Sequence, residues 1–225
     1  REALLMSYTT QRCSKGHTHW TINQVKSDEC GMACVGILLK EHGINVSLAE
    51  LRQASQGFEG GYRPGIGDVV RGDPARIQAQ HMMAAIMRHD EGQVITQARA
   101  GEFGTQCSNL AALLGKYGLK AVASYNHGGA KKAMRQKAKK TQSSIALVRW
   151  VQKGQDAGGH FVVIQRANTH LFSHSEYCIM DPIYGLSTQT LPTMPGHPGG
   201  NAPQYHPPNS GGAVGYLMGW HVVVI

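Results

Sequence analysis

Apolar residues follow a helical period near the start of the chain. The residues with this spacing are Met32, Val35, Leu38 and Leu39. They predict a helix over about 30–42, and Gly43 is a suitable residue to end it. Ser47 and Glu50 follow with the S-x-x-E spacing of a capping box, in which each side chain binds the backbone N–H of the other. A second helix is therefore predicted to begin there.

The pattern between 57 and 118 is less regular. Residues 57–72 contain six glycines and one proline without periodicity, which predicts a long surface loop. Residues 75–89 and 108–118 show helical patterns, the second with Ser108 as a predicted N-cap and Gly118 past its end. The first half of the chain is thus predicted to be helical.

The second half changes to short apolar segments rich in β-branched and aromatic residues. These segments are residues 119–125, 143–151, 160–167, 176–182 and 220–225. Each is bounded by Gly, Asp or Pro, as strands often are. Residues 192–213, rich in Pro and Gly, are predicted to form a long loop or flap. The expected class is α+β, with an N-terminal helical part packed on a mostly antiparallel sheet.

Length and composition favour one folded domain. The chain has 225 residues, of which 41% are hydrophobic and 16% charged, enough to bury a core. We expect a single domain over 1–225, in which 1–20 form an N-terminal extension and 57–72 and 192–213 form Gly/Pro-rich loops. The chain begins at Arg1 instead of Met, so we expect it to be a piece of a longer polypeptide.

The sequence has no apolar run long enough to span a bilayer and no signal peptide at its start. A soluble protein is therefore expected. The chain has five cysteines, an odd number, so at least one thiol is free. A free thiol favours action in a reducing cytosol, which an exported chain would reach after secretion or delivery. The net charge of +8 does not by itself identify a partner.

Cys30 lies where a polar segment becomes the first predicted helix. The unpaired N–H groups and the dipole at such a position favour a thiolate, the nucleophilic form of cysteine. Gln24, six residues earlier, is close enough for its amide to share a pocket with the Cys30 backbone N–H. Together they could bind the oxyanion of a tetrahedral intermediate.

A cysteine nucleophile also needs a base that a third group holds in orientation. His160 begins the apolar segment HFVVI, and Asp181 ends the segment EYCIM. If these segments pair as an antiparallel hairpin, the start of the first lies beside the end of the second. His160 and Asp181 would then be neighbours at the N-terminal end of the helix that carries Cys30.

Three segments together resemble the C39-like branch of papain-like cysteine peptidases. They are Q-x5-C-G-x-A-C at 24–34, G-G-H-F-V-V-I at 158–164 and D-P-x-x-G at 181–185. The resemblance implies a papain-like fold and cleavage of amide bonds through a thioester. The family usually has Asp directly before the nucleophile, where this chain has Glu29.

The resemblance also implies a role for each of the four candidate residues. Cys30 would be the nucleophile, His160 its base, Asp181 the group that orients the base, and Gln24 a donor to the oxyanion. The predicted function is a cysteine protease acting on a protein or peptide, as the catalytic domain of a bacterial effector, toxin or leader-processing protein. A glutamine deamidase of the same fold and a non-catalytic protein-binding module are the alternatives.

Other polar clusters are assigned no chemistry. Cys34 lies on the same helical face as Cys30, but core packing is the preferred interpretation. His17 and His19 lack the spacing of a zinc site, so no metal and no cofactor are predicted. Residues 131–140 carry six positive charges without an aromatic residue. We interpret this segment as a solvated helix face, and binding to an acidic protein partner is the alternative. No nucleic-acid partner is predicted, because binding by stacking needs aromatic residues.

Overall fold

The computed structural model describes residues 8–23, 29–59, 107–125, 143–152, 155–169, 174–192 and 204–225. The helix predicted at 75–89, the basic segment 131–140 and most of the loop predicted at 57–72 lie outside these residues. Within the described ranges, no helix is both long enough and apolar enough to cross a membrane.

The described residues contain three helices, all from the first 116 residues. Their bounds are α1 Cys30–Glu41, α2 Leu48–Glu59 and α3 Cys107–Lys116. The predicted helix over 30–42 is confirmed, and so is the capping box before α2. The Glu50 N–H donates to Ser47 Oγ at 3.1 Å, and the Ser47 N–H donates to Glu50 Oε2 at 2.6 Å.

Two details of the helix predictions were wrong. The backbone of α2 continues to Glu59, so the predicted loop cannot begin at Gly57. A helix whose first turn is well capped can extend through a single glycine at modest cost. Helix α3 begins at Cys107, which places Ser108 inside the helix instead of at its N-cap. Gly118 does end it, with a φ of 84° that favours glycine.

Nine strands form two antiparallel sheets within the described ranges. Their bounds are β1 Thr9–Arg12, β2 Thr18–Thr21, β3 Ala121–Tyr125, β4 Ser143–Gln152, β5 Gln155–Thr169, β6 His174–Asp181, β7 Gly185–Pro192, β8 Gln204–Tyr205 and β9 Val214–Val224. The main sheet has the order β3-β9-β4-β5-β6-β7, and β8 pairs with β9. Strands β1 and β2 form a separate hairpin. The predicted α+β class is confirmed.

The strand segments were predicted correctly, but their limits and number were not. His160 lies inside β5, opposite Val148 of β4, because β5 begins five residues before it at Gln155. The hairpin β1–β2 overlaps the predicted N-terminal extension 1–20 and ends one residue beyond it, at Thr21. Strand β8 lies within the predicted loop 192–213, where its pairing with β9 overrides the local Pro/Gly composition.

Alternating side chains of the central strands fill two apolar cores. Phe161 and Val163 of β5 join α1 and α3 in the larger core, which also contains Cys30. Val162 and Ile164 join a smaller core, which contains Trp150 and Tyr205. Successive side chains of a strand point to opposite faces, so His160 shares its face with Val162.

Candidate active site

The N-terminus of α1 places Cys30 at the start of a buried helix. Cys30 is the first residue of α1 and its side chain is 7% exposed. The first intrahelical bond runs from the Ala33 N–H to the Glu29 carbonyl at 2.9 Å. The N–H groups of Cys30 and the next two residues precede this bond and have no intrahelical acceptor. They are the donors that an anion at the Cys30 sulfur can use.

Glu29, directly before Cys30, is anchored in the interior. Its side chain is 1% exposed and forms an ion pair with Arg52 of α2, through both Nε and Nη2. A guanidinium that donates twice to one carboxylate fixes the geometry of the pair. The segment that leads into Cys30 is thus attached to the second helix. Here Glu29 takes the place of the Asp usual in the resembling family.

His160 and Asp181 form a buried pair at one end of the main sheet. His160 Nε2 lies 3.0 Å from Asp181 Oδ1, and the two residues are 3% and 1% exposed. The pairing of β5 with β6 produces this contact, since Val163 lies opposite Met180, the residue before Asp181. The predicted hairpin is confirmed.

Four donors hold the Asp181 carboxylate. Besides His160, Oδ1 accepts the backbone N–H groups of Ile183 at 2.7 Å and Tyr184 at 3.2 Å. These two bonds are those of an Asx turn at the start of the D-P-x-x-G segment. Oδ2 accepts the hydroxyl of Tyr205 at 3.1 Å. A carboxylate with so many partners presents Oδ1 to the imidazole in one orientation.

The imidazole of His160 connects the carboxylate to the Cys30 sulfur. Burial alone would lower the pKa of His160, but hydrogen bonds to Asp181 and to Cys30, with the negative charge of both, raise that pKa to about 9. Because Nε2 faces Asp181, Nδ1 is the ring nitrogen that remains for the sulfur. The imidazolium is therefore the stable form at neutral pH, and it places a positive charge beside the Cys30 sulfur.

An aromatic cluster covers the His160–Asp181 pair. Trp150 of β4 lies 5.6 Å from the His160 ring, 5.6 Å from the Tyr184 ring and 5.7 Å from the Tyr205 ring, measured between centroids. Gly215 allows this packing, because a Cβ there would come within 2.5 Å of Val148 Cγ1. The cluster excludes water from the pair, which strengthens its hydrogen bonds.

The sequence predictions missed these aromatic residues. Trp150 is one apolar residue among several in its strand, and Tyr205 lies in a segment whose composition predicted only a loop. Burial raises the pKa of Tyr205 well above its usual range, and the nearby Asp181 charge adds to that effect. Tyr205 therefore remains a protonated donor to Asp181. A tyrosine hydroxyl inside a Pro/Gly-rich segment was the available indication of a buried contact.

The other predicted residues have different outcomes. Gln24 lies outside the described residues, so its proposed role stays a prediction. Cys34 is completely buried in the larger core, and burial raises its pKa well above the usual range, as do the nearby Cys30 and Asp181 charges. Its expected packing role is confirmed, since an un-ionised buried thiol is a poor nucleophile.

Together, the described residues supply a buried sulfur at a helix N-terminus, a protonated imidazole beside it and a carboxylate behind the imidazole. This arrangement suits nucleophilic attack on a carbonyl followed by proton transfer to a leaving amine.

The N-terminal part of the chain matches a known protein family. Residues 19–63 match the model of the Peptidase C39 family. The matched segment contains Cys30, α1 and α2, while His160 and Asp181 lie beyond it. No match was found among the curated proteins. The predicted resemblance to C39-like papain-like cysteine peptidases is confirmed over this segment, and the observed α+β architecture is consistent with a papain-like fold.

Proposed function

We propose that this protein, a cysteine peptidase of the C39-like type, cleaves peptide bonds with Cys30 as nucleophile and His160 as base. Asp181 orients the imidazole, and Gln24 with the Cys30 N–H binds the oxyanion. The observation that supports this proposal is the buried His160–Asp181 pair, 3.0 Å apart, in which the pKa of His160 is raised by Asp181 and by Cys30 at the start of α1.

The reaction has two halves. The Cys30 thiolate attacks the carbonyl carbon, and the negative charge passes to the carbonyl oxygen, which the oxyanion donors stabilise. The C–N bond then breaks as the His160 imidazolium gives its proton to the leaving amine. A thioester remains. His160, now neutral, takes a proton from water, which attacks the thioester and releases the acid together with the regenerated thiolate.

A peptidase acts on a protein or peptide, and we propose such a substrate for this protein. A bacterial effector, toxin or leader-processing role remains our prediction, as does an acidic partner for residues 131–140. The polypeptide must enter where the N-terminus of α1 approaches the end of the sheet, because the reacting sulfur lies there.

The test is mass spectrometry of new N-termini in a cell lysate treated with the protein. The wild type should generate a defined set of cleavage sites, and Cys30→Ala and His160→Ala should generate none. Cys107→Ala is the matched control, since it also removes a buried thiol from the first residue of a helix, here α3. It should cleave like the wild type.

Two other results would refute peptidase activity. Intact targets heavier by about one dalton, only with active protein, would indicate deamidation through the same thioester. Targets that bind equally well to the wild type and to Cys30→Ala, without any covalent change, would indicate a binding module.

A further inference from the structure

Four metal-ligating side chains converge at a second place in the molecule, away from the proposed nucleophile. They are Cys13, His17, His19 and Cys178, and their ligand atoms all lie within 4.8 Å of one another. Cys13, His19 and Cys178 are buried, at 6%, 2% and 0% exposed, while His17 is exposed. Two thiols and two imidazoles form one of the ligand sets typical of structural zinc.

The turn between β1 and β2 supplies three of the four residues. Cys13 and His17 are joined by a hydrogen bond from the Cys13 N–H to the His17 carbonyl at 2.9 Å. Gly16 completes the turn with a φ of 81°, a conformation that favours glycine. His19 follows in β2, opposite Gln11 of β1. The spacing C-x3-H-x-H thus puts three ligands at one end of a hairpin.

The main sheet supplies the fourth residue. Cys178 lies in β6, and its sulfur is 4.0 Å from Thr188 Oγ1 of the paired strand β7. The same threonine accepts the backbone N–H of Ser14 at 3.4 Å. Lys15 forms an ion pair with Glu176 at 2.9 Å. These contacts hold the hairpin turn against β6 and β7.

One buried polar atom in this cluster lacks a partner. His19 Nε2 is buried and has no hydrogen-bond partner among the described residues. Leaving a buried nitrogen unsatisfied has a free-energy cost for the folded state. A metal ion bound at this nitrogen would remove that cost, because the lone pair of a neutral imidazole is its metal-binding site.

We propose that Cys13, His17, His19 and Cys178 bind one divalent cation of the zinc class. Tetrahedral bonds of about 2.3 Å to sulfur and 2.0–2.1 Å to nitrogen place the ligand atoms about 3.3–3.8 Å apart. Side-chain adjustments of about an ångström close the observed cluster to this geometry. Two thiolates balance the charge of the ion, so its burial leaves no net charge. The exposed His17 marks the side from which the ion enters.

The proposed ion is structural, because four protein ligands leave no open position for substrate. It would fasten the β1–β2 hairpin to β6. Cys178 lies three residues before Asp181 on β6, and β2 is the last described element before α1 and Cys30. The site would therefore support both sides of the proposed active site. The sequence predicted no metal, since Cys178 is far along the chain from the other three ligands.

The test is cobalt titration of the metal-free wild-type chain, followed by absorption spectroscopy. One equivalent should produce the intense visible bands of tetrahedral cobalt and a thiolate-to-cobalt charge-transfer band. His17→Ala changes an exposed side chain and should fold, but should bind cobalt more weakly by a factor on the order of ten or more. The controls His42→Ala and Cys30→Ala should bind like the wild type, the second even though it is expected to be inactive.

Two findings would overturn the proposal. A Cys13–Cys178 disulfide, detected by a mass about two daltons lower and by linked peptides, would show that the two sulfurs are bonded to each other and are not metal ligands. Cobalt spectra without thiolate bands, with both thiols still reactive towards a thiol reagent, would show that the cluster binds no metal. Neither result depends on the peptidase activity.

Discussion

The hydroxyl of Tyr205 is the only side-chain donor to Asp181 Oδ2 among the described residues, and Tyr205→Phe removes it with little change in shape. Oδ1 would keep its three partners, so the carboxylate should stay in place with one oxygen unsatisfied. A hydrogen bond to a charged group contributes about 1.5–3 kcal/mol. We expect Tyr205→Phe to lose about 2 kcal/mol of stability, a fall in Tm of about 4–8 °C for a chain of this length.

The same change should also reduce catalysis. The carboxylate stays in the site through Oδ1, but without a partner at Oδ2 it holds the imidazole less rigidly. We expect kcat/KM on a cleaved peptide to fall about 3- to 10-fold, equivalent to about 0.7–1.4 kcal/mol of transition-state stabilisation. The assays are thermal unfolding and peptide cleavage at a fixed pH.

The matched control is Tyr216→Phe, which removes a hydroxyl from β9, in the ladder that pairs with β8. It should change the Tm by less than about 2 °C, because Tyr216 is only half-buried and changes outside the core usually cost little. If Tyr205→Phe and Tyr216→Phe behave alike in both assays, the Tyr205 hydroxyl does not hold Asp181 in place, and the role given to β8 is wrong.

Three further predictions concern α1 and the aromatic cluster. Burial, partly offset by a hydrogen bond from Ser143, raises the pKa of Glu41 from 4.5 to about 7. Folding therefore becomes less favourable as pH rises from 4.5 to 7, and Glu41→Gln should stabilise the fold by about 2 kcal/mol at pH 8 but not at pH 4 in chemical denaturation. Gly215→Ala should destabilise it by about 1–3 kcal/mol in the same assay, because the added Cβ would overlap Val148; an unchanged midpoint would contradict that packing. Arg52→Gln leaves the buried Glu29 without its guanidinium and should lower the free energy of unfolding by about 2–4 kcal/mol. Arg52→Lys should recover part of that lost stability. Equal stability of both variants and the wild type would refute the anchoring role.

Local patterns were sufficient to predict the elements that carry the proposed nucleophile and base. The period of Met32 and Leu39 and the glycine at 43 predicted α1 because these features act within a few residues of one another. The pairing of β5 with β6 followed from two apolar segments separated by a short connection. His160 and Asp181 could therefore be placed together from the sequence.

Contacts between distant segments could not be predicted in this way. Trp150 and Tyr205 meet only because β4 and β8 both pair with β9, and no local pattern states that arrangement. Cys178 lies near the β1–β2 hairpin because the hairpin packs against β6 and β7, which is also a contact between distant segments. Residues that support a site through packing carry no short motif, whereas those that perform chemistry often do.

The most direct test of the account is the pH dependence of Cys30 alkylation by iodoacetamide, followed by peptide mass spectrometry in the wild type and in His160→Gln. The raised pKa of His160, about 9, keeps the imidazolium charged between about pH 6 and 8, so the proposed thiolate–imidazolium mechanism predicts a wild-type rate that is nearly constant over that range. In His160→Gln it should rise about tenfold per pH unit over that range, as for an ordinary thiol of pKa about 8.5. Cys107, whose pKa burial raises to about 12, should remain unmodified in both. The same steep rise in the wild type would contradict a thiolate–imidazolium pair and with it the proposed mechanism.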